Sequence, residues 1–254
     1  MQKIACPTQS KAWGKLEKLS EFFKRRNFRL NNLFTDSSRF TRFSLTHNHL
    51  TLDYSKNFLN EETLQVLIEL SEDMQLKEAI AAMFEGEKIN TSEDRQVLHT
   101  ALRIPINENP HTEVKDCLQH MEVVVDSIHS GEWTGFSGKK IEDVVNIGIG
   151  GSDLGPQLVC DALGDFKVGT QNLHFVSNLD PAHFDEVISE LNPETTIFIV
   201  ASKSFNTIET SLNASFAKKW LLESSDTPES MEKHFIAITG NTNNAINFGV
   251  AKDN

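Results

Sequence analysis

Apolar residues recur along this chain in two different rhythms. Over residues 1–110 the rhythm is mainly helical: Leu16, Leu19, Phe22 and Phe23 fall on one face, with Lys and Arg between them. Asn60-Glu61-Glu62-Thr63 reads as an N-cap with acidic first-turn residues, leading into Leu64, Leu67, Ile68 and Leu70. Between these helices Phe43-Ser44-Leu45 and Leu50-Thr51-Leu52-Asp53-Tyr54 read as a short hairpin. Ser92-Glu93-Asp94-Arg95 is expected to begin another helix, with Val97, Leu98, Ala101 and Leu102 on its inner side. Pro105 and Pro110 bound a turn, which predicts two domains, 1–110 and 111–254.

After a predicted helix over 112–130 the rhythm changes. Four apolar runs, 143–149, 172–177, 195–201 and 234–239, alternate with helical patterns. Their near-continuous Val, Ile and Phe content suits a parallel sheet covered on both faces. The fold class is therefore α/β: a parallel sheet preceded by a mainly helical region. Right-handed crossovers are expected, with ligands beyond the carboxyl ends of the strands. A short helix fills 243–254, and a fifth strand is expected after it, so the sheet reads as incomplete.

Two of the strands end in runs that carry chemistry. The first is Val144-Val145-Asn146-Ile147-Gly148-Ile149-Gly150-Gly151-Ser152-Asp153-Leu154-Gly155-Pro156, and the second is Thr195-Thr196-Ile197-Phe198-Ile199-Val200-Ala201-Ser202-Lys203-Ser204-Phe205-Asn206-Thr207. Each passes from a β-branched stretch through small residues into a helical pattern. A helix N-terminus offers unpaired N–H donors and partial positive charge, which suits a phosphate. The glycines do not make a dinucleotide fingerprint, because Asp153 stands where the third glycine belongs and the expected downstream acid is absent. Leu154 breaks a nucleophile elbow, and no Gly-Lys-Ser/Thr ends a P-loop. What survives is a turn placing Gly151 and Ser152 near a ligand, or one that simply packs helix on strand. In the second run Ser202, Ser204 and Thr207 supply hydroxyls, and the N–H groups of Lys203, Ser204 and Phe205 are expected to converge on one oxyanion. Lys203 either adds positive charge or stays solvated. Ordinary helix capping is the competing use of Ser204 and Thr207.

Charge narrows the partners. The net charge of −12 argues against nucleic acid or an anionic membrane surface for the chain as a whole. Residues 1–44 hold ten Lys and Arg against three acids, which reads as a targeting peptide, a nucleic-acid arm or, preferably, a solvated helix face interrupted by acids. No apolar run approaches the ~20 residues needed to span a bilayer. Cys6, Cys117 and Cys160 are too few and too scattered for a disulfide framework or a CxxC metal site, and point to a reduced cytoplasm. His47 and His49 would share one side of a strand, yet no carboxylate or thiolate at ligand spacing joins them, so no metal site is expected.

Gly135-Phe136-Ser137-Gly138-Lys139 through the first strand-exit run closely resembles the glucose-6-phosphate isomerase family. So do Phe175-Val176-Ser177-Asn178, Leu191-Asn192-Pro193-Glu194-Thr195 and Ala201-Ser202-Lys203-Ser204-Phe205. Upstream, Asp53-Tyr54-Ser55-Lys56-Asn57, Gly86-Glu87-Lys88-Ile89-Asn90, Glu93-Asp94-Arg95 and Leu98-His99-Thr100-Ala101-Leu102-Arg103 extend the likeness over nearly the whole chain. The resemblance implies flavodoxin-like sugar-isomerase subdomains behind a helical N-terminal region, working as a homodimer in the complete protein. It also implies interconversion of glucose 6-phosphate and fructose 6-phosphate without metal or organic cofactor. Carried over by motif, Gly151 and Ser152 would lie beside the sugar. Ser202, Lys203, Ser204, Phe205, Asn206 and Thr207 would form the phosphate loop. Ser204 and Asn206 depart mildly from the family's usual threonine or serine there.

Family members continue far past Asn254, and the resemblance places the proton-shuttling glutamate and its arginine, histidine and lysine companions in that part. The chain is thus expected to carry the sugar-phosphate anchor without the base, and to be inactive alone. Two alternatives are a non-catalytic sugar-phosphate sensor and a structural piece that needs a complementary half. A nucleotide-dependent oxidoreductase fits less well.

Overall fold

Side-chain caps start two helices of the N-terminal half, those opening at Lys11 and Glu61. The computed structural model describes residues 6–225 and 227–254, and the chain divides into two compact units, Met1–Glu108 and Asn109–Asn254. In the first unit the Ser10 hydroxyl accepts from the Trp13 N–H and opens α1 (Lys11–Phe23). A short α2 (Arg39–Arg42) leads into the antiparallel hairpin β1 (Ser44–His47) and β2 (Leu50–Asp53). Asn60 accepts from both the N–H and the hydroxyl of Thr63 at 2.8 and 2.7 Å, starting α3 (Glu61–Asp73), which packs on α1 and is followed by α4 (Leu76–Phe84). Arg39 is the buried anchor of this unit. It donates to the carbonyls of Ser55, Asn57 and Leu59 at 2.8, 3.0 and 2.9 Å, with its guanidinium 4.4 Å from the Phe43 ring centroid.

Two expectations fail here. No helix begins at Ser92: Asn90 and Arg95 exchange backbone hydrogen bonds at 3.2 and 3.1 Å around a turn with Asp94 in the left-handed region. The Asn90 carboxamide accepts from the Ser92 hydroxyl and the Glu93 N–H, so the capping residue closes a local turn instead of opening a helix. Only a single 3₁₀ turn, Ala101–Arg103, follows. His47 and His49 do not share a strand side, because β1 ends at His47 and His49 lies in the hairpin turn beside left-handed Asn48.

The second unit begins with α5 (Thr112–Ser130), ended by Gly131 in the left-handed region. There follow β3 (Asp143–Ile147), α6 (Leu154–Ala162), β4 (Asn172–Val176), α7 (Pro181–Ile188), β5 (Thr196–Ala201), α8 (Ile208–Leu222), α9 (Pro228–His234), β6 (Phe235–Ile238) and α10 (Thr242–Phe248). The four strands form one parallel sheet in the order β4-β3-β5-β6. Alternation splits the central strands between two faces. Val145, Ile147, Phe198 and Val200 face a core with Ala214, Ala217 and Leu221 of α8, while Ile197 and Val144 join Ile128 of α5 and Ile141 on the other side. The fold is α/β, with the strand order of the first four strands of a flavodoxin-like sheet.

His234 ties β6 to the segment before β3. It is fully buried, accepts from the Phe136 N–H at Nε2 (2.8 Å) and donates from Nδ1 to the Thr196 carbonyl at 2.5 Å. Burial pushes its pKa below the ordinary histidine range. No helix among the described residues is long and apolar enough to cross a membrane. The cysteines Cys6, Cys117 and Cys160 are all free thiols.

Candidate functional site

The chain runs from β3 outward to β4, then crosses back to β5 on the opposite side of β3. Connections leaving β3 and β5 therefore diverge, and a crevice opens between them at their carboxyl ends. Both small-residue runs leave at this point. Ile147 of β3 pairs with Val200 of β5, so Gly148 to Ser152 and Ser202 to Thr207 emerge at the same end of adjacent strands.

The first exit is a tight 3₁₀ turn, Gly150–Ser152, running into α6. A β-carbon on Gly148 would sit 2.4 Å from the Ser152 carbonyl oxygen, so only glycine permits this close return. Asn146, a polar residue within apolar β3, donates from its side chain to that same carbonyl at 3.0 Å. Gly151 is exposed and Ser152 half-buried, while α6 beyond them buries none of its residues. The turn therefore does not serve to seat a helix in the core.

The second exit is built differently. Ser202 is buried, its N–H donates to the Ile238 carbonyl, and its hydroxyl lies 3.3 Å from the Thr207 hydroxyl. Lys203, Ser204 and Asn206 are exposed, and the Ser204 hydroxyl accepts from the Asn206 N–H at 3.3 Å. Phe205 departs from expectation. Its N–H does not join a shared anion seat but donates to the Ser202 carbonyl at 3.2 Å, and its ring is buried against Phe248 with centroids 5.7 Å apart. Its φ of 55° is a left-handed conformation that costs a residue with a β-carbon on the order of 1 kcal/mol. Burial of the ring offsets that strain.

Thr207 is the N-cap of α8, yet its side chain makes no capping hydrogen bond. The capping role expected as an alternative for Thr207 is not taken up. The first turn of a 15-residue helix thus keeps its amide donors and partial positive charge directed at the crevice.

A hollow lies beside the first exit, lined by Ile149, Gly150, Asp153 and Leu154, by Ser177, Asn178 and Leu179 after β4, and by Glu209 of α8; residues 202–207 do not line it. Asp153 Oδ1, Thr210 Oγ1 and Asn213 Oδ1 near this end of the sheet are buried without a partner among the described residues. Such atoms are uncommon, and of the three only Asp153 lines the hollow. Asn146, Asn178 and Glu209 were given no role from sequence, although Asn146 and Asn178 fall in runs that resemble the family. The signal for Asn146 was its polarity inside a Val-Val-Asn-Ile strand; nothing local marks Glu209.

The sequence profile of the family described as phosphoglucose isomerase matches residues 53–254. The chain belongs to the phosphoglucose isomerase family. Glucose-6-phosphate isomerase 1 of Colwellia psychrerythraea is 47% identical over 251 residues, covering 96% of this chain and 46% of that protein. Glucose-6-phosphate isomerase of Buchnera aphidicola is 46% identical over 251 residues, covering 95% and 45%. This phosphoglucose isomerase family chain thus spans about half the length of the curated relatives it matches. A crystal structure of glucose-6-phosphate isomerase from Chlamydia trachomatis superposes with a TM-score of 0.64 at 25% identity, covering 92% of this chain and 45% of that one.

Proposed function

We propose that these residues form the sugar-phosphate anchor of an aldose–ketose isomerase that interconverts glucose 6-phosphate and fructose 6-phosphate. The observation that carries this reading is the pairing of two hydroxyl- and amide-bearing exits on β3 and β5, one opening on an uncapped α8. The Ser202, Ser204 and Thr207 hydroxyls, the Ser204 N–H and the first amides of α8 hold the phosphate. Lys203 and Asn206 border it, and Phe205 fixes the shape of the loop. Gly151 and Ser152 meet the sugar. Hydrogen bonds to a charged group contribute about 1.5–3 kcal/mol each, so the phosphate supplies the larger part of the binding energy.

Holding the phosphate fixes C1 and C2 of the sugar in space, which is what proton transfer beside a carbonyl needs before any base can act. In this reading the base lies outside these residues, and no metal or organic cofactor has a role. The 254-residue chain alone binds sugar phosphate with negligible turnover; the complete protein works as a cytoplasmic homodimer. Calorimetry with fructose 6-phosphate, inorganic phosphate and unphosphorylated fructose, beside a coupled isomerase assay, tests this. Binding of the two phosphates but not of fructose is expected. Equal affinity for fructose and fructose 6-phosphate, or turnover near that of a complete enzyme, would overturn it.

A further inference from the structure

The segment joining β6 to α10 reaches across to the second exit and holds it by its carbonyls. The Lys203 carbonyl accepts from the Gly240 N–H at 3.0 Å and from the Thr239 hydroxyl at 3.2 Å. Asn244 Nδ2 donates to the Ser204 carbonyl at 3.3 Å and to Asn206 Oδ1 at 2.9 Å. That nitrogen carries two hydrogens, and both are used. Asn244 is itself seated, because its own N–H donates to the Asn241 side chain at 3.2 Å, next to buried Ala245.

The direction of these bonds matters more than their number. In a trans peptide the carbonyl and the following N–H point opposite ways, and the described chain contains no cis peptide. Drawing the Lys203 carbonyl toward the β6–α10 turn turns the Ser204 N–H away from it. Drawing the Ser204 carbonyl toward Asn244 sends the Phe205 N–H back to the Ser202 carbonyl, which closes the tight turn. The tether thereby decides which amides of the loop remain available to a ligand.

We propose that Asn244 is a positioning residue for anion binding: it touches no substrate and acts by orienting Ser204 and Asn206. This rests on reading residues 202–207 as a phosphate loop. Removing the Asn244 amide frees both groups, and the cost of re-ordering them falls on the bound state.

The test titrates inorganic phosphate and fructose 6-phosphate into the full 254-residue chain, its Asn244→Ala, Asn206→Ala and doubly substituted variants, and Asn244→Gln. Alanine is the strongest helix former, so α10 keeps its local preference. Asn244→Ala is expected to weaken both ligands about tenfold, the worth of one to two hydrogen bonds. Asn206→Ala weakens them less, and the double variant is no weaker than Asn244→Ala because the two side chains act as one unit. Asn244→Gln, which keeps the donor, regains part of the affinity, and thermal midpoints stay together across the set. Wild-type chain that binds neither phosphate removes the proposed function and this inference with it. Wild-type binding matched by Asn244→Ala overturns the inference alone. Lost affinity that tracks a lowered thermal midpoint and is not rescued by glutamine also overturns it, since the residue would then support the fold and not the loop.

Discussion

The exits from β3 and β5 look alike in sequence and are held in opposite ways. After β3 a glycine turn is tied down by its own strand, through Asn146 and the close approach at Gly148, and α6 beyond it buries nothing. After β5 the loop is fixed from three sides: Phe205 reaches into the core, the β6–α10 turn and Asn244 of α10 each grip a carbonyl, and α8 buries Ala214, Ala217 and Leu221 completely. Small residues at a strand end therefore do not by themselves imply rigidity. In the proposed anchor the stiff exit holds the charged end of the ligand, where binding energy concentrates, and the lightly held exit meets the neutral sugar.

The largest expected effect tests whether the helices differ as described. Ala217→Leu forces a larger side chain between α8 and the sheet and should lower stability by about 1–3 kcal/mol in urea unfolding. The matching change on α6, Leu158→Gln at a residue 68% exposed, should stay within about 0.5 kcal/mol. Equal losses would erase the contrast. Next, Gly148→Ala should disturb the first exit and leave the second intact. Fructose 6-phosphate affinity then falls by about tenfold, on the order of 1.4 kcal/mol, while inorganic phosphate binds as before. A parallel loss for both ligands would mean that the exits are not separable. Ser204→Ala does the converse, weakening inorganic phosphate and fructose 6-phosphate alike by about tenfold through one lost charge-assisted hydrogen bond.

The smallest effect concerns the start of β5, where His234 is held neutral between Thr196 and Phe136. Its folded pKa lies below the value of 6.5 it has when unfolded, so below that pH the unfolded chain binds a proton that the folded chain refuses. The stabilisation is fully present above about pH 6.5 and is lost as pH falls toward the folded pKa. Urea midpoints at stepped pH should show this slope in the wild type and its reduction in His234→Gln. An unchanged slope would assign the acid sensitivity to carboxylates instead.

Much of this contrast was written locally, and part of it was not. The strands at 143–147 and 196–201 follow from β-branched runs, and the start of α3 follows from Asn60 and two glutamates. The turn at Asn90–Arg95 escaped because Ser92 and Glu93 satisfy a helix-start pattern as well as a turn, and the Asn90 side chain decides between them. Hydroxyls at Ser202, Ser204 and Thr207 were legible as donors, but the diversion of the Phe205 N–H depends on a left-handed φ that phenylalanine does not advertise. Asn244 meets Ser204 40 residues away, a contact set by strand order and invisible to local pattern.

The outward face of α6 has one more consequence. Leu154, Leu158 and Val159 are each more than half exposed, and Phe166 and Val168 just beyond the helix are 78% and 77% exposed. Greasy surface of this kind draws identical molecules together, and what opposes it in dilute solution is mutual repulsion from the excess of twelve negative charges. High ionic strength screens that repulsion within a few ångströms, so the chain should cloud in concentrated salt long before it unfolds.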